Sequence, residues 1–240
     1  MIYNWKAALV VFALVFFVSV LGRFLAFKIP ALQRMRELNH EADQPKLERQ
    51  RYRDVVKANR KVGLAINAFF YVAILPFWVT LESSSFWLSV LEAVAILMLF
   101  DFVYYLTHRF LFHGKLLRKV HSLHHQARKP TYVDALYVHP LETSIGLFLF
   151  LGSIPAVALL MNAPLNVLPV AVATVLFTQL NTINHTWVNL PYFPFKTLNW
   201  VTSIHEAHHV DMDSGNYATL TMLYDWMFGT LEEPVSRSEP

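Results

Sequence analysis

The sequence contains no cysteine. That excludes disulfides, thiolate-held haem, cysteine-bound iron–sulfur clusters and zinc–thiolate sites. Any metal must be held by imidazole, carboxylate or amide groups. Charge is scarce too, at 15% of residues where a soluble domain carries about 25%. Glycine occurs only 7 times, with no glycine-rich phosphate loop and no dinucleotide fingerprint, so a tightly held nucleotide is not indicated. Solenoid repeats and low-complexity tracts are also missing. What is abundant is apolar surface: 55% of the 240 residues are hydrophobic. This balance excludes disorder and points to a membrane protein.

Five stretches are long and apolar enough to enter a bilayer, which takes roughly 20 residues. They are residues 5–27, 62–81, 86–107, 141–161 and 164–185. The first lacks an A-x-A cleavage site and reads as a retained anchor. Short turns at 82–85 and 162–163 join the later spans into two expected helical hairpins. The expected architecture is an all-α integral membrane bundle of four to five spans with a histidine-rich helical cap. Residues 1–61 form an anchor and basic loop, and residues 62–240 the main membrane domain. Of the 20 Lys and Arg residues, 18 fall on one side of this topology: ten in 28–61, six in 109–129, then Lys196 and Arg237. The positive-inside rule puts that side, and the cap, in the cytoplasm. The 28–61 run reads as a solvated helix face rather than a nucleic-acid patch, with Arg49, Arg51 and Arg53 near anionic lipid.

Ten of the 11 histidines lie between His108 and His209, all at the cytoplasmic ends of spans or in cytoplasmic segments. His108 and His113 sit in HRFLFH. His121, His124 and His125 form HSLHH, and His205, His208 and His209 form HEAHH. His139 and His185 stand alone, and His40 reads as a solvated bystander. On a helix, positions i, i+3 and i+4 share a face, so three imidazoles converge from each HxxHH. Two such helices supply six nitrogens, more than one tetrahedral zinc uses, which fits two metals sharing a site. His139 precedes Pro140 and serves equally well as a ligand or as a cap of the following span.

The strings DFVYYLTHRFLFH, HSLHH, YVHPLE and HEAHH, with NYATL and YDWMFGT after them, resemble the fatty acid hydroxylase/sterol desaturase superfamily. The resemblance covers about residues 101–230. It implies a membrane di-iron enzyme with histidine ligation by His108, His113, His121, His124, His125, His185, His205, His208 and His209. His139 is a tenth candidate. Some members carry a second histidine four residues before the lone one; here that position is Asn181, whose amide is a weak or water-mediated ligand. Asp101 and Glu142 lie near span ends, where a bare charge is expensive. They are the leading carboxylates for steadying imidazoles, followed by Asp134, Glu206, Asp211, Asp213 and Asp225. Aromatic residues of the C-terminal segment (Trp187, Tyr192, Phe193, Phe195, Trp200, Tyr217, Trp226, Phe228) are expected to lie at headgroup level and close the site.

The implied activity is O2-dependent hydroxylation or desaturation of a fatty acyl, sterol or isoprenoid lipid. It needs two iron ions and a separate electron donor, a ferredoxin or b-type cytochrome with its reductase. The chain length and its C-terminal residues favour a bacterial inner membrane over the ER. Two rivals remain. HEAHH also matches H-E-x-x-H, a zinc protease with His205 and His209 as ligands and Glu206 as general base. A histidine-rich metal transporter is the non-enzyme rival; it needs polar groups along a path across the spans. Glu206→Gln separates the enzymes: it abolishes peptide hydrolysis by a zincin and leaves lipid oxygenation intact, as measured by turnover of each substrate class.

Overall fold

A computed structural model of the chain describes residues 2–190 and 194–234. Helix α1 (Trp5–Ala26) starts on an Asn4 side chain that accepts the Ala7 N–H, satisfying one orphan amide of the first turn. Helices α2 (Pro30–Leu47) and α3 (Gln50–Phe69) follow. Proline at the first position of α2 suits its start, since that N–H has no helical partner. A π turn (Phe70–Ile74) and a 3-10 turn (Leu75–Phe77) extend α3, and the two-residue strand β1 (Val79–Thr80) ends the segment. Helix α4 (Phe86–Thr107) is capped by Ser85 and continues into a second π turn, His108–Phe112. The short α5 (Arg118–His121), α6 (Pro140–Leu160), β2 (Leu165–Asn166), α7 (Val167–Asn184), α8 (Lys196–Val210) and α9 (Leu223–Met227) complete the chain.

Among the described residues, five helices are long and apolar enough to cross a membrane: Trp5–Ala26, Gln50–Phe77, Phe86–Phe112, Pro140–Leu160 and Val167–Asn184. The chain is an integral membrane protein built as an all-α bundle. The second span begins a dozen residues earlier than hydropathy suggests, at Gln50. Its first half is polar and amphipathic, so only its second half resembles a lipid-embedded helix. The boundary expected between residues 61 and 62 falls inside α3.

The two short turns exist, but the helices they join do not pack along each other. Instead α3 lies on α6, α6 on α4, α4 on α7, and α7 on α1. The expected hairpins are thus interleaved. The device that permits this is the parallel β1–β2 pair, in which Val79 faces Leu165 and Thr80 faces Asn166. It ties the two connections together at the end away from the histidines.

Lipid tails are as apolar as leucine, so helices in a bilayer associate by close packing and internal polar bonds rather than by the hydrophobic effect. Both occur here. The residues α1 buries are small: Ala7, Ala8 and Val11, in one cluster with Ala171 and Ala173 of α7. Phe150 and Phe177 stack with centroids 3.9 Å apart, and Phe100 meets them edge-on at 5.6 and 5.0 Å. This trio joins α4, α6 and α7. Leu9, Phe12, Phe16, Phe17 and Phe24 of α1 point outward, as a lipid-facing surface should. Phe150→Ala should lower stability by about 3 kcal/mol. Phe148→Ala, exposed to lipid, should cost under about 1 kcal/mol. Denaturant unfolding in detergent compares them.

Candidate metal centre

The first histidine pair depends on the π turn. In an α-helix, residues five apart point about 140° away from each other. The turn His108–Phe112 closes instead through a His113 N–H to His108 C=O bond of 2.9 Å. One inserted residue per turn brings i and i+5 to one face, a device common at functional sites. Ring centroids of His108 and His113 are 5.0 Å apart as a result.

HEAHH lies on α8 as expected. HSLHH is not a single helix: α5 ends at His121, and His124–Gln126 is a 3-10 turn. Nor do the three histidines of each motif converge on one volume. Adjacent helical residues point about 100° apart, so the paired histidines diverge. The structure collects His108, His113, His121, His125 and His208 in one group, and His124, His185, His205 and His209 in another. Within each group, one nitrogen per residue lies within 4.8 Å of all the others, and all nine imidazoles are buried. Each HxxHH motif feeds both groups. His121 and His125 face the first, and His124 the second; His205 and His209 face the second, and His208 the first.

The outer ring nitrogens decide what the inner ones can do. His108 Nδ1 lies 2.7 Å from the Tyr217 carbonyl, His113 Nδ1 2.7 Å from Met212 O, and His208 Nδ1 2.6 Å from Gly215 O. His185 Nδ1 lies 3.0 Å from Asn181 O, and His121 Nδ1 2.8 Å from Glu142 Oε1. Carbonyl and carboxylate oxygens accept, so each Nδ1 carries the proton and each Nε2 is a lone pair. Yet these lone pairs crowd together. His108 and His121 Nε2 are 3.0 Å apart, His121 and His125 3.0 Å, and His125 and His208 3.2 Å. In the second group the Nε2 contacts are His124–His185 at 3.1 Å, His185–His205 at 3.0 Å and His205–His209 at 3.1 Å.

Uptake of further protons is disfavoured here. Burial holds the basicity of the cap imidazoles down, that of His208 to about 3, and neighbouring imidazoles reinforce it. Neutral imidazoles with converged lone pairs fit a cation in each group. At a metal–nitrogen length of about 2.1 Å, ligands at right angles stand about 3.0 Å apart and tetrahedral ones about 3.4 Å. The observed spacing matches five- or six-coordinate metals better than tetrahedral zinc.

Other expected residues separate clearly. Glu142, buried, touches His121 as anticipated. Asp101 touches no imidazole. It sits seven residues before His108, about 10 Å deeper along the helix. There its carboxylate accepts from the Thr219, Leu220 and Thr221 amides and from Thr221 Oγ1, anchoring the C-terminal segment. His139 belongs to neither group: its Nδ1 accepts the Leu141 N–H at 3.2 Å and caps α6. Asn181 turns its Oδ1 toward Thr219 Oγ1 at 3.4 Å, and its contribution is the carbonyl that orients His185. Asp225 accepts from Tyr217 and Ala218, Asp213 pairs with Arg118, and Asp134 bonds Lys46 and Tyr52. Among the aromatics, Trp200, Trp226 and Phe228 are exposed, whereas Trp187 is buried and Tyr217 packs 5.0 Å from His113. Tyr192 and Phe193 lie outside the described residues. The carbonyls of Met212, Gly215 and Tyr217 escaped the sequence reading, because any residue type offers a carbonyl.

A family model for fatty acid hydroxylase matches residues 93–230, more than half of the chain and the whole histidine constellation. The chain belongs to the fatty acid hydroxylase family. A very-long-chain aldehyde decarbonylase of Oryza sativa is 31% identical over 160 residues, 65% of this chain and 55% of that protein. Methylsterol monooxygenase 1 of Rattus norvegicus is 32% identical over 134 residues, 54% of this chain and 43% of that protein. A putative methylsterol monooxygenase of Dictyostelium discoideum is 33% identical over 141 residues, 58% of this chain and 50% of that protein. The chain spans about half the length of these relatives. No solved structure matches it. Glu142→Gln, which weakens the bond steadying His121, should lower metal affinity about 10- to 100-fold, read by competition with a chelator.

Proposed function

We propose that this family member is an O2-dependent di-iron lipid hydroxylase or desaturase. The crowded Nε2 lone pairs in two buried all-histidine groups are the observation that carries the reading. His108, His113, His121, His125 and His208 would hold one iron, and His124, His185, His205 and His209 the other. Bound iron supplies reduction of O2 and removal of hydrogen from an unactivated C–H bond. The balanced hydroxylation is R–H + O2 + 2e⁻ + 2H⁺ → R–OH + H2O.

The protein's share is positioning and exclusion of water. Glu142 and the backbone carbonyls hold the proton on Nδ1 of His108, His113, His121, His185 and His208, leaving their Nε2 to the metal. Phe112, fully buried, stacks on His121 at 5.3 Å and shields that ring. The site sits at the ends of α4 and α7, where a lipid reaches it laterally from the bilayer. The relatives' names refer to a very-long-chain aldehyde and to methylsterols, which supports a lipid substrate here. Two electrons must come from outside, from a ferredoxin or b-type cytochrome with its reductase. The 18 basic residues flanking the cap side support a cytoplasmic metal site. The relatives named above are eukaryotic and favour the ER over a bacterial inner membrane.

The rivals fare worse. Four imidazoles close a tetrahedral zinc, so the group containing His205 and His209 offers a zincin no place for water. For a transporter, the intramembrane acids would have to line a path. Asp101 is committed to the C-terminal segment, and Glu92 Oε2 accepts the Asn166 N–H at 3.2 Å. Expression in a lipid-producing host should yield new oxygenated or unsaturated lipids by mass spectrometry. They should vanish with His124→Ala, and the purified protein should hold about two irons per chain. Zinc as the sole metal under iron-replete conditions, with no altered lipid, overturns the reading.

A further inference from the structure

The basic N-terminal segment carries no motif, yet one stripe of each of its helices is buried. On α2 the stripe is Asn39 and Asp43, with the half-buried Lys46 continuing it; on α3 it is Tyr52, Val56 and Asn59. Both have i, i+4, i+7 spacing, which places three residues on one helix face. Both stripes reach the same connection, residues 131–138, between HSLHH and α6. Asp43 Oδ1 accepts from Thr131 Oγ1 at 2.6 Å and from the Val133 N–H at 3.3 Å. Asp134 takes Lys46 and Tyr52 together. Tyr52 stacks flat on Tyr137, with centroids 4.0 Å apart. Asn59 Nδ2 donates to the carbonyls of Leu136 and Val138, the two residues that flank Tyr137. Tyr137 Oη in turn donates to Gln126 Oε1 at 3.2 Å, in the 3-10 turn that carries both His124 and His125.

Asn39 makes the second connection. Its Nδ2 donates to Trp187 O at 2.8 Å, and its Oδ1 accepts the Trp187 N–H at 3.0 Å. The same oxygen accepts the Tyr132 N–H at 3.2 Å. One side chain, 2% exposed, thus fixes both backbone groups of a residue two positions after His185, across 148 residues of sequence. His124 and His185 touch each other at 3.1 Å, and both belong to the four-histidine group. The five-histidine group is braced by Glu142 and by the carbonyls of Met212, Gly215 and Tyr217, and Asn59 borders it too, since its Oδ1 accepts from Thr143 Oγ1 at 2.7 Å, next to Glu142.

We infer that α2 and α3 form a positioning clamp in which Asn39 holds the four-histidine group through the segment after His185, while Tyr52 and Asn59 hold the connection between HSLHH and α6 that serves both groups. Asn39 therefore governs retention of one metal, and Asn59 of both. This rests on the di-iron reading and assigns a role to the segment that the family match, beginning at residue 93, does not reach.

The test uses the purified, iron-loaded full chain, with iron per chain and its release to a chelator followed over time. Asn39→Ala should speed release of one of the two irons about 10-fold or more while the other leaves at its wild-type rate. Asn39→Asp, which keeps the acceptor for Trp187 and Tyr132, should release that iron more slowly than Asn39→Ala. Glu142→Gln should speed the other phase, and Asn59→Ala both. If Asn39→Ala fails to fold, the milder Asn39→Asp decides by the same comparison of phases. Acceleration of both phases together, or of neither, in a monodisperse Asn39 variant overturns the clamp. Wild-type protein that binds no iron overturns the di-iron reading instead.

Discussion

Everything near the cap follows from one electrostatic demand: nine buried imidazoles must be neutral, and their Nε2 lone pairs must nonetheless meet. Burial disfavours the doubly protonated state, and outer acceptors set the tautomer of His108, His113, His121, His185 and His208. What remains is a convergence of ring nitrogens suited to cations. The surrounding chain is organised to maintain that condition. Glu142 sits at the start of α6 to hold His121, and the segment from Met212 to Tyr217 is folded over the cap to present three carbonyls. Asp101 and Asp225 are spent on holding that segment, one from inside α4 and one from α9.

The same demand explains the local irregularities. A regular α-helix would send His108 and His113 to different sides, so α4 ends in a π turn. HSLHH breaks into a helix end and a 3-10 turn, which lets His121 and His125 reach one group while His124 reaches the other. Local regularity yields where ligand geometry requires it.

Much of this was legible in the residues. Apolar length found all five spans, and histidine spacing found the nine imidazoles. Glu142 stood out because a buried acid beside a span needs a partner. Legibility failed where the signal is not in residue type. Packing order depends on which faces meet, so two short turns suggested hairpins although α3 chooses α6 and α4 chooses α7. Asp101 was misassigned because expensive burial marks a partner without naming it. His139 resembled its neighbours in type, but its side chain serves the first turn of α6. The clamp of α2 and α3 was hidden under a high density of exposed charge, since Asn39, Asp43 and Asn59 differ from solvated residues only in what they face.

The interleaved order of the spans has a consequence for assembly. Spans entering a bilayer two at a time first meet their sequence neighbours, but here three of the four main contacts join spans that are not consecutive, the exception being α4 with α6. Helix α3 waits for α6, and α1 waits for α7. The two-residue parallel pair of β1 with β2 forms only after both turns have emerged. Since α8 comes later still, the histidine set closes only once His209 has emerged, so shorter nascent chains present no finished pocket.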